Sequence, residues 1–238
     1  MGEYFQLLSF GENGWGLVLL IACGVTVSLA LCAAPVGFFL GLLSALMIRS
    51  NSKILRIVAT VFSSVFRSLP ELLTLFIVYF GLQILLRHMM HLFGFTEEIT
   101  INAFLSGILG LGLVSAAFSS EIWLGAFNII PRGQYEACKT LGLSRTKTFT
   151  SVIFPQLLKH ALPGLSNNWL TLFKDTSLVS TIALVDIMRQ TNLAASQTKH
   201  YIFFYSAACC LYLLFSALSG IFFRHLERNL NKTYQGGI

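Results

Sequence analysis

The chain reads as an all-α integral membrane protein with five transmembrane helices and one long polar helical loop. Composition is the first observation behind this: of 238 residues 55% are hydrophobic and only 11% charged, whereas a soluble domain carries about 25% charged residues. Mean hydropathy is +0.73. The second is that five stretches reach the ~20 apolar residues a helix needs to cross a bilayer. They are Trp15 to Ile48, Ile54 to Leu86, Ile101 to Ile130, Leu162 to Leu184 and Tyr201 to Phe223. The first is longer than one crossing requires, so it tilts, kinks near Pro35 or protrudes into water. The second is interrupted by the polar run "RSLPE". Gly37 and Gly41 carry GxxxG spacing, which lets helices approach closely. Trp15 and Tyr201 stand at span ends as interfacial anchors, while Trp123 and Trp169 lie deeper, as packing or cavity lining.

Several chemistries have no motif. Cys23, Cys32, Cys138, Cys209 and Cys210 form no CxxC pair, and four of these five sit in apolar runs, so free thiols are expected. The histidines show no HExxH spacing and no GxxxxGK[ST] occurs, so neither a metal site nor a nucleotide site is expected. No Lys or Arg precedes Arg49, which leaves no positive region for a cleaved signal peptide.

An odd number of crossings puts the termini on opposite sides, and Lys and Arg choose the side. Arg49, Lys53, Arg56, Arg132, Lys139, Arg145, Lys147, Lys159, Arg224, Arg228 and Lys232 fall at one set of ends; Arg87, Arg189 and Lys199 fall at the other. The first set is read as cytoplasmic, with the N-terminus outside. The net charge of +6 then reflects orientation and not nucleic acid binding.

The segment "QYEACKTLGLSRTKTFTSVIFPQ", Gln134 to Gln156, therefore lies in the cytosol. Gly142 tolerates backbone angles that other residues avoid, Pro155 marks a stop or kink, and Ser144 supplies half a capping box. Two short helices joined at Gly142 are expected. They suit either a groove on a soluble partner or the membrane surface as an amphipathic linker.

Glu136-Ala137-Cys138, then Gly142, Val152 and Phe154-Pro155 at their spacings resemble the EAA loop of binding-protein-dependent ABC transporter permeases. Cys138 departs from the second alanine of that pattern and Phe154 from its leucine. "FRSLPELLTLFIVYFG", "SSEIWLGAFNIIPRGQYEA" and "LFKDTSLVSTIALVDIMRQT" resemble the polar amino-acid branch of the same family, in its histidine, arginine and octopine/nopaline members. The likeness runs from about Gly14 to Phe223. It implies a type-1 ABC importer permease fold over residues 15–223, with an extracytoplasmic N-terminus over 1–14, a cytosolic loop over about 131–160 and a cytosolic tail over 224–238. It also implies a coupling role for Glu136, Ala137, Cys138, Gly142, Arg145, Val152 and Pro155, which would dock on an ABC ATPase. Other implied partners are a second permease, identical or homologous, and an extracytoplasmic solute-binding protein. The chain itself would bind no cofactor; ATP and Mg would be used by the ATPase. The implied cargo is a basic amino acid or opine, and the implied location the bacterial inner membrane.

Ionisable residues at membrane depth are costly and face the protein interior or a wet cavity. Arg67 and Glu71 are spaced to pair on one helix face, with Pro70 between them to distort the turn. Glu121 has no opposite charge within a helical turn, so its partner is another span, a second subunit or a substrate cation. Lys174 and Asp175 point about 100° apart. Thr176, Ser177 and Ser180 either line a polar cavity or bond back to their helix. Glu121, Asp175, Arg67, Ser177 and Thr176 are thus the pathway candidates. Two rival classes are weighed against a permease: an ion-coupled secondary transporter, which commonly shows internal repeats, and a membrane enzyme, which needs a reactive constellation. Neither the repeats nor the constellation is visible in the chain.

Overall fold

The computed structural model describes residues 7–11, 14–93 and 101–235, with side chains through 230, and every regular element among them is helical. In order these are α1 (Gly16–Ile48), α2 (Lys53–Ser68), α3 (Glu71–Leu92), α4 (Ala103–Ile129), α5 (Arg132–Thr140), α6 (Phe154–Asp175), α7 (Ile187–Thr198) and α8 (Tyr201–Gln235). A single α-turn (Arg145–Lys147) and a π-helical turn (Thr148–Ile153) lead into α6, and a 3₁₀ helix (Thr176–Ile182) continues from its end. Helices α1, α3, α4 and α8 are long and apolar enough to cross a membrane. At 22 residues α6 matches α3 in length, but it carries more polar side chains.

The centre of the fold is the contact of α1 with α4. A Cβ on Gly37 would strike Ser115, one on Gly41 would strike Ser119, and one on Gly112 would meet Val36 at 3.2 Å. The GxxxG pair is thus a helix–helix seam, where missing side chains let backbones close up and gain dispersion contacts. Leu29, Ala30, Ala33 and Ala34 continue the seam towards Phe173 and Val179, and at the other end Ala45, Trp123 and Ala126 pack on Ile153 and Leu157. The indole N–H of Trp123 donates to the Phe38 carbonyl at 3.0 Å, so this tryptophan ties α4 to α1. Outward-facing Leu20, Ile21, Ile84, Leu213 and Phe222 are exposed apolar residues, the surface that a lipid solvent favours.

Two expected spans differ in form. Ile54 to Leu86 is two helices: Leu69 and Pro70 are extended, because a residue before proline is driven from the α region and proline donates no backbone hydrogen bond. Helix α2 is amphipathic, with Ala59 and Ser63 buried and Ile54, Ile57, Val58 and Val61 exposed. The fourth span is α6 followed by the 3₁₀ helix, which closes at Ala183 in the left-handed region, φ 67°.

Candidate functional site

Two polar regions stand out against this apolar frame. The first is the loop between α4 and α6. Pro131 opens α5, its extended backbone preparing the first helical turn. At the far end Leu143 N–H donates to Cys138 O at 3.0 Å and Gly142 N–H to Lys139 O at 3.1 Å, with Gly142 at φ 70°. That is a Schellman motif: the left-handed glycine lets the chain fold back on the last free carbonyls. A Cβ on Gly142 would meet nothing within 4 Å, so torsion and not space makes it glycine. Two residues later the Ser144 hydroxyl accepts from Lys147 N–H at 3.3 Å and caps the next helical turn.

The expected pair of short helices is present on its first side only. Beyond Ser144 the chain continues through the π-helical turn into α6 without a break. Pro155 does not stop it: proline lies in the first turn of α6, where a missing N–H is tolerated, and the wider π turn precedes it. Cys138 is buried; buried Ile153 and half-buried Val152 join Tyr135, Phe149 and Phe154 in one apolar cluster at the ends of α1, α4 and α6. Glu136, Ala137 and Arg145 are exposed. So is Leu141, at 77%. Leu141 was absent from the candidates read off the sequence; a leucine directly before a turn glycine, in a polar and basic stretch, was the available signal.

The second region lies along α2, α4 and α6. The Arg67 guanidinium pairs with Glu121 at 2.9 Å, and the two side chains are 35% and 45% exposed. The expected Arg67–Glu71 pair does not form, because the Leu69–Pro70 break removes the helical register that would align them. Arg67 Nε also donates to Ser63 O at 3.2 Å. Beside it a buried seam fastens α2 to α4: the Ser63 and Ser120 hydroxyls lie 2.8 Å apart, and Ser63 donates to Ala117 O at 3.2 Å.

Asp175, at the end of α6, lines a narrow cleft with Ser115, Phe118, Asn168 and Thr171, and the Glu71 carboxylate is near enough to repel it. Lys174 faces away and is exposed. Asn168 was another residue missed from sequence. Its buried amide donates to Ser115 O, Ser115 Oγ and Ser119 Oγ at 3.1, 3.1 and 2.8 Å, locking α6 onto the small-residue face of α4. Its signal was weak, because Ser166, Asn167 and Thr171 beside it are polar as well and nothing in the sequence marks which of them turns inward. Thr176 and Ser177 donate to the carbonyls of Phe173 and Lys174, and Ser180 to that of Ser177, so of the two roles expected for these hydroxyls the structure shows bonding back to the chain. All five cysteines are unpaired, and among the described residues no cluster of His, Cys, Asp and Glu could hold a metal ion.

Long apolar helices with outward-facing apolar side chains, buried small-residue seams and a capped helical loop outside them define a polytopic membrane protein. The family described as "Binding-protein-dependent transport system inner membrane component" matches residues 37–232. An octopine transport system permease protein OccQ from Rhizobium meliloti is 36% identical over 99% of both chains. An arginine ABC transporter permease protein ArtQ from Haemophilus influenzae is 36% identical, over 92% of this chain and 96% of that one. Among solved structures, an amino acid ABC transporter crystallised with histidines aligns at TM-score 0.75 and 28% identity, over 90% of this chain and 95% of that one. The MetNI methionine ABC transporter shares the fold at TM-score 0.71 and 16% identity, over 93% of this chain and 99% of that one. This chain belongs to the binding-protein-dependent transport system inner membrane component family. It is a membrane-spanning permease subunit of an ABC transporter and not an enzyme.

Proposed function

We propose that this chain is the channel half of an ATP-driven importer for a basic amino acid or an opine of the arginine, histidine, ornithine or octopine class. Support for the cargo comes from relatives named for octopine and arginine transport. Residues 15–223 form the permease domain, with the N-terminus periplasmic, the loop cytosolic and the 224–238 tail cytoplasmic; the lopsided Lys/Arg distribution supports that orientation. An extracytoplasmic binding protein delivers cargo. A second permease, identical or homologous, completes the pore, and two ATPase subunits consume ATP with Mg.

The observation that carries this reading is the loop built around Gly142. Its inward side is fixed by Tyr135 and Ile153 in the apolar cluster, with Cys138 buried close to Tyr135 in sequence, its turn by the Schellman bonds, and its outer surface offers Glu136, Ala137, Leu141 and Arg145. A stiff element with one apolar tip and flanking charges is suited to docking in a cleft of a soluble partner. From Arg145 to Asp175 the helical path is unbroken. Motion imposed at the loop by ATPase closure therefore reaches the polar cleft as rigid-body rocking. The two access states differ in energy only as far as nucleotide and cargo bind them differently.

Asp175, which lines the cleft, receives the cargo's side-chain cation, and Glu71 adds its negative charge from outside the cleft. Ser177 contributes its lone pairs, and the buried Thr176 backs the wall. The test is uptake of labelled arginine, histidine and octopine into vesicles holding this chain, its ATPase and its binding protein. Uptake that needs ATP and the binding protein, and that is lost on replacing Glu136 or Gly142, bears the proposal out. Uptake that follows an ion gradient without the ATPase overturns it in favour of a secondary transporter.

A further inference from the structure

We propose that the Arg67–Glu121 pair is a clasp opened by the cargo's own α-ammonium and α-carboxylate, which replace the two side chains as each other's partners. The inference rests on the amino-acid cargo proposed for this chain and assigns its backbone groups a site separate from Asp175 and Glu71.

Depth is the first argument. Glu121 lies about 27 Å along α4 from Ala103 and about 12 Å from Ile129, at ~1.5 Å per residue, so the pair sits inside the membrane on the loop side of its midplane. Asp175 lies at the opposite end of α6 from the loop. Cargo entering from outside meets the Asp175–Glu71 carboxylates first and the clasp second.

Exposure is the second. At this depth an ion pair against lipid would be costly, yet both side chains remain partly open. The neighbouring Ser63–Ser120 seam is closed completely, both serines being buried. The serines therefore hold α2 to α4 whether or not the charges are engaged, and the charges face a space that a partner permease and water would enclose.

Chemistry is the third. A zwitterion carries one cation and one anion at fixed separation, matched to one carboxylate and one guanidinium. Arg67 offers planar donors suited to a carboxylate, and its own Nε bond to Ser63 O holds the group in place while its partner changes. Exchange conserves charge: two ion contacts replace one, and neither Glu121 nor Arg67 is left unpaired at depth. The exchange also bears on the backbone. Arg67 is one residue from the end of α2, directly before the extended Leu69–Pro70 break. Releasing Glu121 frees the α2 terminus to pivot against α3.

The experiment uses the complete transporter in lipid nanodiscs and measures binding of labelled arginine without the binding protein. Competitors are arginine and agmatine, which is arginine lacking its carboxylate. On the wild-type transporter agmatine should compete at least about tenfold more weakly than arginine. Arg67→Gln should abolish that difference by weakening arginine alone, whereas Glu121→Gln should weaken both; Arg67→Lys, which keeps the charge, should restore part of the difference. Retained basal ATP hydrolysis and an unchanged elution volume show that each variant is assembled. Should Arg67→Gln not assemble, the discrimination on the wild type and on Arg67→Lys still decides. An arginine-to-agmatine ratio equal in wild type and either assembled Arg67 variant overturns the clasp while leaving the importer reading in place. Failure of the wild-type system to take up any amino acid overturns that reading, and the clasp with it.

Discussion

The loop between α4 and α6 and the charged face of the membrane helices are both polar islands in an apolar chain, but they are held by different forces. Local bonds to the backbone hold the loop: the Gly142 turn closes on the Cys138 and Lys139 carbonyls, and the Ser144 hydroxyl caps the helical turn after it. Side chains reaching between helices hold the membrane face: Arg67 to Glu121, Ser63 to Ser120, Asn168 to Ser115 and Ser119. A backbone-specified element keeps one shape and transmits force. A face fastened by side chains can exchange partners without unfolding. On the proposed function the first serves as a lever and the second as a gate.

The largest expected effect separates surface role from stability. Glu136→Arg should reduce ATP-dependent uptake by roughly a hundredfold, the upper range of a coupling free energy between sites, with unchanged thermal stability, because the side chain is exposed. Parallel transport and unfolding measurements check this; a large loss of stability would place Glu136 inside the fold. Next comes the membrane side. Asn168→Leu strips three hydrogen bonds from a buried knot and should cost about 1–3 kcal/mol in unfolding free energy by leaving serine hydroxyls unsatisfied. Gly37→Leu should be comparably harmful by overpacking, about 1–3 kcal/mol, since even a Cβ there strikes Ser115.

Smaller effects sharpen the contrast. Gly142→Ala forces a Cβ into φ 70° with open space around it. A cost of about 1–2 kcal/mol is expected, confined to the loop and read by faster amide exchange over Arg132–Thr140 while the spans stay protected. The smallest is Ala183→Gly at φ 67°, which should raise the melting temperature slightly by relieving about 1 kcal/mol of torsional strain.

Legibility from sequence divides along the same line. Apolar runs placed α1 and α4 almost to their ends and α8 at its start, because a bilayer selects by length and hydropathy alone; α8 continues past Phe223 to Gln235 as a polar, basic extension that hydropathy does not mark. The turn at Gly142 and the Ser144 cap were legible because both are local. The split at Leu69–Pro70 was marked by the proline, but length and hydropathy favoured one long span. Partners of Arg67 and Glu121 were not legible together: 54 positions separate Ser63 from its Ala117 acceptor, and such contacts depend on how α2 crosses α4. Asn168 was hidden for the same reason, and the unbroken passage from Arg145 into α6 because a π turn absorbs what a proline would otherwise stop.

Whether the loop is the point at which an external motor grips the chain is tested most directly by a photo-cross-linker at position 141, in the transporter reassembled with its ATPase. The account predicts a cross-link to the ATPase subunit, with a yield that changes when ATP is bound. A probe at that position that labels only lipid or solvent, in a complex still driving uptake with ATP, would contradict it.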